Sequence, residues 1–499
     1  MPTRPPHPSH PTRPPHSPHP PRPRTQIFVA STLYGAATLA AALDADHFAP
    51  ADRRLLLVCN SAATPETTPS LDTMPGFDRL RGRFDRVLSW NETISPFHPG
   101  GWSPRSDDAP LWERHLRLLW DLGDDHIHLV LESIQVNPAQ AIARLFADAP
   151  IDIYADGLMS YGPTRNKLDP LIGTRINRLL YLDLVPGLTP LLLTEFDVEQ
   201  RPVPTDAFTK VLSEIADAVD ELAILDAFRL PDRAAERLPG RLPERLPGRL
   251  PDRLPGGAAL LLGQYLSALG ILTAEEEEEL HVRMMRGAVE RGHREIVFKP
   301  HPSAPARWSR LLEREAGKLD VTLTVLDTPV LAEMLYQRMR PALVVGCFST
   351  ALLTASTFYG LPAARTGTDL LLERLTPYQN SNRVPVTLVD ALVPDLRDTS
   401  EQPTALTTTA DVEGLITAVG YAMQHQLHPR LRPAAERYLA THLDAYTRRY
   451  FKRRRLTALA LPGAIPSQLS FIPRNATVRR VARRARAIQR RLKKRVAFG

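Results

Sequence analysis

One carboxylate in the sequence, that of Asp156, has a position suited to acid–base chemistry. Asp156 follows the apolar segment IDIYA, so it stands at the end of a predicted strand. Gly157 comes next and has no side chain, which leaves space beside the carboxylate. A carboxylate in such a position can accept a proton from a hydroxyl nucleophile. Ser160 adds a polar turn downstream. An ordinary Asp-Gly turn is the alternative interpretation, because this dipeptide is common in turns.

A lysine and a histidine follow a second predicted strand. Lys299-Pro300-His301-Pro302 comes directly after EIVF, and the two prolines hold the intervening backbone extended. Lys299 supplies a positive charge for a phosphate, and His301 can donate a proton or a hydrogen bond to a leaving phosphate. The alternative is a rigid loop that carries a solvated histidine.

Two hydroxyl side chains follow a third predicted strand. Ser349 and Thr350 come shortly after Gly346 and precede the helical run ALLTASTF. Hydroxyl groups and free N–H groups at a helix N-terminus form a site for an anion. Ordinary capping of the helix by either hydroxyl is the alternative. The sequence has no strong metal-ligand spacing, and it has neither a P-loop lysine pattern nor a convincing dinucleotide fingerprint.

The segments that carry these residues alternate between predicted strands and helices. Apolar runs such as TQIFVAST, RRLLLVCNS and PALVVGCFST predict strands, and residues at helical spacing lie between them. This alternation predicts an α/β fold with parallel sheets covered on both faces. In open parallel sheets, ligands bind beyond the carboxyl ends of the strands. We therefore add to the candidate site Gly263 and Gln264, which follow ALLL, and Glu132, which ends HIHLVLE.

The composition excludes several classes of protein. The chain has 499 residues, of which 43% are hydrophobic, and this is enough for a sizeable core. The two cysteines cannot form a disulfide framework, so we expect a reducing cytoplasm. The longest uncharged run, 256–274, is interrupted by Gly, Gln, Tyr and Ser, so we expect a soluble protein. The formal charge of +7 comes from both terminal segments and a central insertion, and the remaining residues are acidic in sum. We therefore expect no specific nucleic-acid partner.

Changes in composition along the chain predict seven segments. These are a disordered Pro-, His- and Arg-rich tail (1–24), a first Rossmann-like domain (25–205), a helical connection (206–236), a low-complexity RLPx linker (237–257), a second Rossmann-like domain with closing helices (258–455), a connector (456–473) and a basic amphipathic tail (474–499).

The last of these segments has the pattern of a membrane-surface helix. Residues 474–499 contain eleven Arg and Lys and no acidic residue, and a thin apolar stripe runs along one helical face. Such a helix is predicted to bind the anionic inner face of the cell membrane. A solvated tail, or one that contacts an acidic polymer, is the alternative.

Taken in order along the chain, the three motifs resemble those of bacterial sialyltransferases and polysialyltransferases, which share D/E-D-G, H-P and S-S or S-T motifs. The likeness is to the α-2,8-polysialyltransferase-like family and covers most of residues 25–400. It implies a GT-B-like fold, in which two facing Rossmann-like domains enclose a cleft. It also implies inverting transfer from CMP-sialic acid to a glycan or glycolipid, without a metal or other cofactor. Ala155 departs from the fuller motif, which has a second acid there, and this leaves the exact sugar open.

The resemblance also implies a role for each motif. Asp156 would be the base that deprotonates the acceptor hydroxyl, and His301 would act on the CMP phosphate as general acid or hydrogen-bond donor. Ser349 and Thr350 would hold the phosphate or the donor carboxylate. The other predicted donor-site residues are Lys299, Pro302, Gly346, Gly263 and Gln264, and the predicted acceptor residues are Gly157, Glu132 and Ser160.

Two other functions remain open on the sequence alone. One is a polymer transferase that uses CDP-glycerol or another activated donor. The other is a non-enzymatic protein that binds carbohydrate or nucleotide.

Overall fold

The computed structural model describes residues 22–218, 257–301, 308–326, 329–398 and 408–464. The predicted basic tail, and almost all of the predicted N-terminal tail and RLPx linker, lie outside the described residues.

The described residues form two sheets. Their strands are β1 Arg24–Ala30, β2 Arg53–Val58, β3 Arg86–Ser89, β4 His126–Glu132, β5 Ile151–Ala155, β6 Ile176–Leu182, β7 Glu199–Val203, β8 Ala259–Leu262, β9 Glu295–Lys299, β10 Thr322–Val325, β11 Leu343–Gly346 and β12 Ala363–Arg365. Among the described residues, one sheet has seven strands in the order β3-β2-β1-β4-β5-β6-β7, and the other has five in the order β10-β9-β8-β11-β12.

Helices connect most of these strands. They span Leu33–Asp44, Asp78–Arg81, Trp90–Ile94, Ala109–Leu119, Ala139–Leu145, Pro170–Gly173, Thr205–Ala218, Ala274–Glu290, Trp308–Leu319, Ala332–Met339, Thr350–Tyr359, Thr368–Arg374, Arg383–Leu392, Thr409–Gln424, Arg432–His442 and Arg453–Ala458. Parallel pairing joins β1 to β2 and β4 in the first sheet, and β8 to β9 and β11 in the second. The structure therefore confirms the predicted α/β class with two Rossmann-like parallel sheets.

The central strands are buried because both of their faces are apolar. All four residues of β8 and of β11 are buried, and so is every residue of β1 except Arg24. Continuous apolar runs of this kind are typical of parallel strands that helices cover on both faces. Local signals fix where the helices begin: Thr32 caps the first helix, and Thr273 forms a capping box with Glu276 at the start of another.

The strand order reverses at one point in each sheet. In the first sheet this switch point lies between β1 and β4, and in the second it lies between β8 and β11. The crevice beyond the carboxyl ends of the strands at a switch point is the usual ligand site of such sheets. The residues that follow β1, β4, β8 and β11 are therefore the first places in which to look for chemistry.

The chain divides into two compact units that are not continuous in sequence. The described part of the first unit comprises 22–155, Leu168–Leu180 and Asp206–Ala218, and the second comprises Asp156–Lys167, Tyr181–Thr205 and the described residues from 257 onward. The segment predicted as one domain, 25–205, is thus shared between the two units. A sequence pattern favours contiguous domains, whereas the contacts made by 156–167 and 181–205 group them with residues much later in the chain.

Candidate active site

Backbone and side-chain hydrogen bonds join the ends of three strands at the switch point of the second sheet. The side-chain oxygen of Gln264, just after β8, accepts a hydrogen bond of 2.9 Å from the N–H of Phe348, just after β11. The N–H of Gly263 donates to the carbonyl oxygen of Lys299, the last residue of β9, also at 2.9 Å. The predicted donor residues Gly263, Gln264 and Lys299 are therefore brought together.

Gly263 lies where the loop after β8 packs closely against the end of β9 and the residues that follow it. A Cβ atom at this position would lie 3.0 Å from the Phe298 ring, 3.1 Å from Cα of Pro300 and 3.2 Å from the carbonyl oxygen of Lys299. Two of these three atoms belong to the backbone, which cannot move aside as a flexible side chain does. Glycine is therefore needed here to let the loop after β8 pack against the start of the His301 loop.

His301 follows β9, and its imidazole ring lies 6.2 Å from the ring of Tyr265, measured between ring centroids. Desolvation by neighbouring protein atoms lowers the pKa of the imidazole, and the positive charge of Lys299 lowers it further. Because the His301 side chain is exposed, we expect solvent to limit the first effect. Pro302 lies outside the described residues.

Lys299 itself lies in a partly buried environment. Burial lowers the pKa of its ammonium group, and the negative charge of Glu333 opposes this shift. Glu333 is only 4% exposed, and burial raises the pKa of its carboxyl to about 7, while Lys299 and a hydrogen bond with Thr354 act in the opposite direction. Lys299 thus has a buried acidic neighbour that the sequence motifs did not reveal.

The loop after β11 presents the predicted hydroxyl pair. Ser349 is the N-cap of the helix Thr350–Tyr359, and its side chain accepts a hydrogen bond from the N–H of Ala351. The capping interpretation is therefore correct for Ser349, although a hydroxyl that accepts one hydrogen bond still has its own hydrogen to donate. Gly346 ends β11, where a Cβ atom would lie 3.3 Å from the side chain of Leu352, so the helix packs closely against this position.

The second hydroxyl of the pair lies beside the predicted base. The hydroxyl oxygen of Thr350 is 3.5 Å from the backbone nitrogen of Leu158, at the outer limit of a hydrogen bond. A Cβ atom on Gly157 would lie 3.3 Å from the same oxygen. Within the second unit, the structure therefore brings Thr350 to the Asp156-Gly157 turn.

Ser160 is buried in that turn and is hydrogen-bonded to its backbone. It is 2% exposed, and both its hydroxyl and its N–H donate to the carbonyl oxygen of Gly157, at 2.9 and 3.1 Å. These bonds close the turn that follows Asp156. Ser160 thus supports the backbone next to Asp156.

Glu132 belongs to the first unit and lies at the switch point of the first sheet. Its carboxylate accepts a hydrogen bond of 2.8 Å from the N–H of Ser31, which follows β1. Burial raises the pKa of this carboxyl, and the hydrogen bonds from Ser31 and Tyr154 oppose the shift. The end of β1 is thereby joined to the end of β4, as Gln264 joins β8 to β11 in the second sheet.

Sequence reasoning missed Glu333 and Tyr265. Glu333 lies in the otherwise apolar stretch LAEMLY, and an acid flanked by apolar residues in a predicted helix is the one signal that could have marked it. Tyr265 directly follows the predicted pair Gly263-Gln264, so extending that pair by one residue would have included it. In the part of the chain that the structure describes, no cluster of three or more His, Cys, Asp or Glu could hold a metal ion.

Comparisons with known proteins agree with the motifs. The sequence profile of the alpha-2,8-polysialyltransferase family matches residues 26–368, a range that reaches from β1 to just beyond β12. No curated protein is significantly similar in sequence.

Two solved structures illustrate the likeness in fold. The UDP-GlcNAc 2-epimerase from Methanocaldococcus jannaschii is 11% identical, with a TM-score of 0.41 and coverage of 80% of this chain and 99% of that one. The GT-B domain of a sialyltransferase from Photobacterium damselae is 12% identical, with a TM-score of 0.36 and coverage of 73% and 96%. At these TM-scores, neither likeness indicates a substrate or a reaction.

Proposed function

The chain belongs to the α-2,8-polysialyltransferase family and is a sialyltransferase-like glycosyltransferase, and we propose that it transfers sialic acid from CMP-sialic acid to a glycan or glycolipid hydroxyl with inversion. The family match spans both parallel sheets and includes all three motifs. It does not favour a CDP-glycerol polymer transferase or a non-enzymatic binding protein.

One observation carries the proposal furthest, namely the approach of Thr350 to the backbone at Gly157 and Leu158. It places a hydroxyl group and the start of a helix beside the turn that holds Asp156. This supports the proposal, because a transfer from a phosphorylated donor to a hydroxyl uses both a proton acceptor and a site for negative charge.

The proposed reaction makes one bond and breaks one bond. The acceptor oxygen forms a bond to the anomeric carbon of sialic acid while its proton passes to the carboxylate of Asp156. The bond from that carbon to the CMP phosphate breaks, and the phosphate leaves with the bonding electron pair. His301 donates a proton or a hydrogen bond to the departing phosphate oxygen, depending on its protonation state.

Negative charge grows on the phosphate during this step, so positive groups must stabilise that charge. The Lys299 ammonium and the N-terminus of the helix Thr350–Tyr359 supply a charge and a dipole of the required sign. On this basis we propose that the reaction needs no metal or other cofactor. Full activity after treatment with a chelator is the expected result, and activity that returns only on addition of a divalent cation would disprove this part of the proposal.

We propose that residues 474–499 hold the enzyme at the inner face of the cell membrane. Their eleven basic residues support this, because each one near an anionic surface contributes about 1 kcal/mol. Deletion of 474–499 should move the protein from the membrane fraction to the soluble fraction while activity on a soluble acceptor is retained. Unchanged fractionation would disprove the lipid attachment.

Among the residues that the structure describes, no helix combines the length and the hydropathy needed to cross a membrane.

The decisive experiment is release of CMP from purified protein with a panel of CMP- and CDP-activated donors. We expect release from CMP-sialic acid, and a loss of about 10²- to 10⁴-fold in Asp156→Asn and in His301→Ala, because each variant lacks an acid–base group. Asp107→Asn, which changes an exposed carboxylate in the first unit, is the matched control and should retain activity. Release of CMP that neither active-site variant reduces would disprove the catalytic assignment.

A further inference from the structure

An exposed aromatic pair lies on the loop that follows β3 and the short helix Trp90–Ile94 in the first unit. The side chain of Phe97 is 52% exposed, although it is large and apolar. Its ring stacks on that of Trp102, with centroids 6.3 Å apart and an angle of 25° between the planes. The pair therefore presents aromatic surface to solvent.

Two further tryptophan rings pack against Trp102. Trp102 makes edge-to-face contacts with Trp90, at 5.7 Å between centroids, and with Trp112, at 5.1 Å. Trp90 is only 1% exposed. Trp102 is thus fixed against the core, and Phe97 is stacked on a ring that cannot turn freely.

Hydrogen bonds fix the backbone of the same loop. A ring nitrogen of His98 is 2.9 Å from the carbonyl oxygen of Ala62, and the N–H of Gly100 donates to the other ring nitrogen at 3.1 Å. Arg144 donates to the hydroxyl of Ser103 at 2.8 Å. These contacts are made within the protein itself, so holding Phe97 in place costs little additional entropy on binding.

The pair lies beyond the carboxyl end of β3, the edge strand of the first sheet, and ligands of open parallel sheets bind on this side of the strands. The loop begins after the carboxyl end of β3, and Ala62, to which it is hydrogen-bonded, follows the carboxyl end of β2. The segment 95–104, SPFHPGGWSP, contains no Lys, Arg, Asp or Glu. A ligand at this surface would thus meet aromatic rings and no formal charge from the loop.

We propose that Phe97 and Trp102 form a stacking platform for an uncharged hexopyranose ring of the acceptor glycan. One face of such a ring carries C–H groups that pack against an aromatic ring, while its hydroxyl groups remain in water. The inference rests on the proposed function, and it identifies the kind of acceptor unit that the first unit binds.

The test is direct binding of methyl β-D-galactopyranoside to the full-length protein, observed by saturation-transfer NMR. We expect transfer to the ring protons H3, H4 and H5, which form the apolar face. The signal should fall about fivefold or more in Phe97→Ala and stay within about twofold of wild type in Phe97→Tyr, because tyrosine keeps the aromatic face. Signals that Phe97→Ala leaves unchanged would overturn the proposal.

Leu171→Ala is the matched control variant. Leu171 is 77% exposed and lies in the helix Pro170–Gly173, which precedes the amino end of β6 in the same unit. This variant removes exposed apolar surface away from the loop, so it should bind the galactoside as wild type does. An equal loss of signal in Leu171→Ala would show non-specific contact and would also overturn the proposal.

Release of CMP from the donor, measured in parallel, separates this inference from the proposed function. Phe97→Ala should release CMP from CMP-sialic acid by hydrolysis at the wild-type rate and require about tenfold more galactoside acceptor for half-maximal transfer. If no donor releases CMP, the proposed function fails even though galactoside binding still tests the platform. If CMP is released but the requirement for acceptor is unchanged, the platform alone is wrong.

Discussion

The hydroxyl oxygen of Thr350 lies 3.5 Å from the backbone nitrogen of Leu158, a residue 192 positions earlier in the chain. Gly157 allows this approach, because any side chain there would begin with a Cβ atom 3.3 Å from the same oxygen. The glycine is not required by backbone conformation, since its φ of −134° is open to other residues. Its role is to leave room for Thr350.

Replacement of Thr350 by valine should impair donor use without unfolding the protein. Valine has nearly the same shape but lacks the hydroxyl, so we expect kcat/KM for the donor to fall about tenfold, as for one lost hydrogen bond to a charged group. Thr350→Ser keeps the hydroxyl and should lose less. Steady-state kinetics of CMP release and thermal melting of both variants test this, and equal loss in the two variants would contradict a role for the hydroxyl.

Replacement of Gly263 by alanine should displace the loop that carries Lys299 and His301. The new Cβ atom would lie 3.0 to 3.2 Å from Phe298, Pro300 and Lys299, so the backbone between β9 and His301 must shift. We expect KM for the donor to rise at least about tenfold, because a misplacement on the order of 1 Å in an active site has large effects on rate.

Gly317→Ala is the matched control for this change. Gly317 lies in the helix Trp308–Leu319, and a Cβ atom there would have no atom within 4 Å. Alanine should stabilise this helix by about 1 kcal/mol and leave donor KM unchanged. If Gly263→Ala behaves like Gly317→Ala in both kinetics and melting, the close approach has no functional consequence.

Much of the fold follows from local sequence patterns. Runs such as ALLL, EIVF and LVVG became buried parallel strands, and the polar residues after them lie at the carboxyl ends of the second sheet. This agreement arises because a fully buried strand needs apolar residues on both faces and must end where polar groups can reach solvent or a ligand. The ends of these apolar runs therefore predict the strand ends, after which the candidate residues lie.

Long-range packing accounts for what the sequence did not reveal. Ser160 is buried under the Asp156 turn, and the segment 156–167 groups with residues far along the chain, because contacts between distant segments leave no local pattern. Glu333 is similar: its neighbours in sequence are apolar, but only the tertiary structure shows that it interacts electrostatically with Lys299. Sequence alone identifies such an acid as unusual, but it does not show that the acid interacts with a particular lysine.

Removal of the Lys299 charge should raise the pKa of His301. The ammonium of Lys299 disfavours the protonated imidazole, so Lys299→Met should move the pKa of His301 upward, toward the ordinary histidine value. NMR titration of the His301 ring resonances, assigned with His301→Ala, measures the shift directly. If protonated His301 is the active form, the fall in kcat/KM at rising pH should also move to higher pH. An unchanged or lower pKa would contradict the electrostatic coupling.

The Glu333 carboxyl should make stability depend on pH in a predictable direction. Burial raises its pKa from 4.5 to about 7, so between these values the folded protein binds a proton that the unfolded chain has lost. The free energy of unfolding should therefore fall as pH rises from 4.5 to 7, by about 3 kcal/mol, and then level off. Glu333→Gln lacks this titration and should gain stability relative to wild type over the same interval. Denaturant unfolding of both proteins between pH 4.5 and 8 measures the difference in stability. Glu295→Gln, which changes an exposed carboxyl, is the control. If the difference in stability between wild type and Glu333→Gln does not change with pH, the Glu333 carboxyl is not desolvated as the structure indicates.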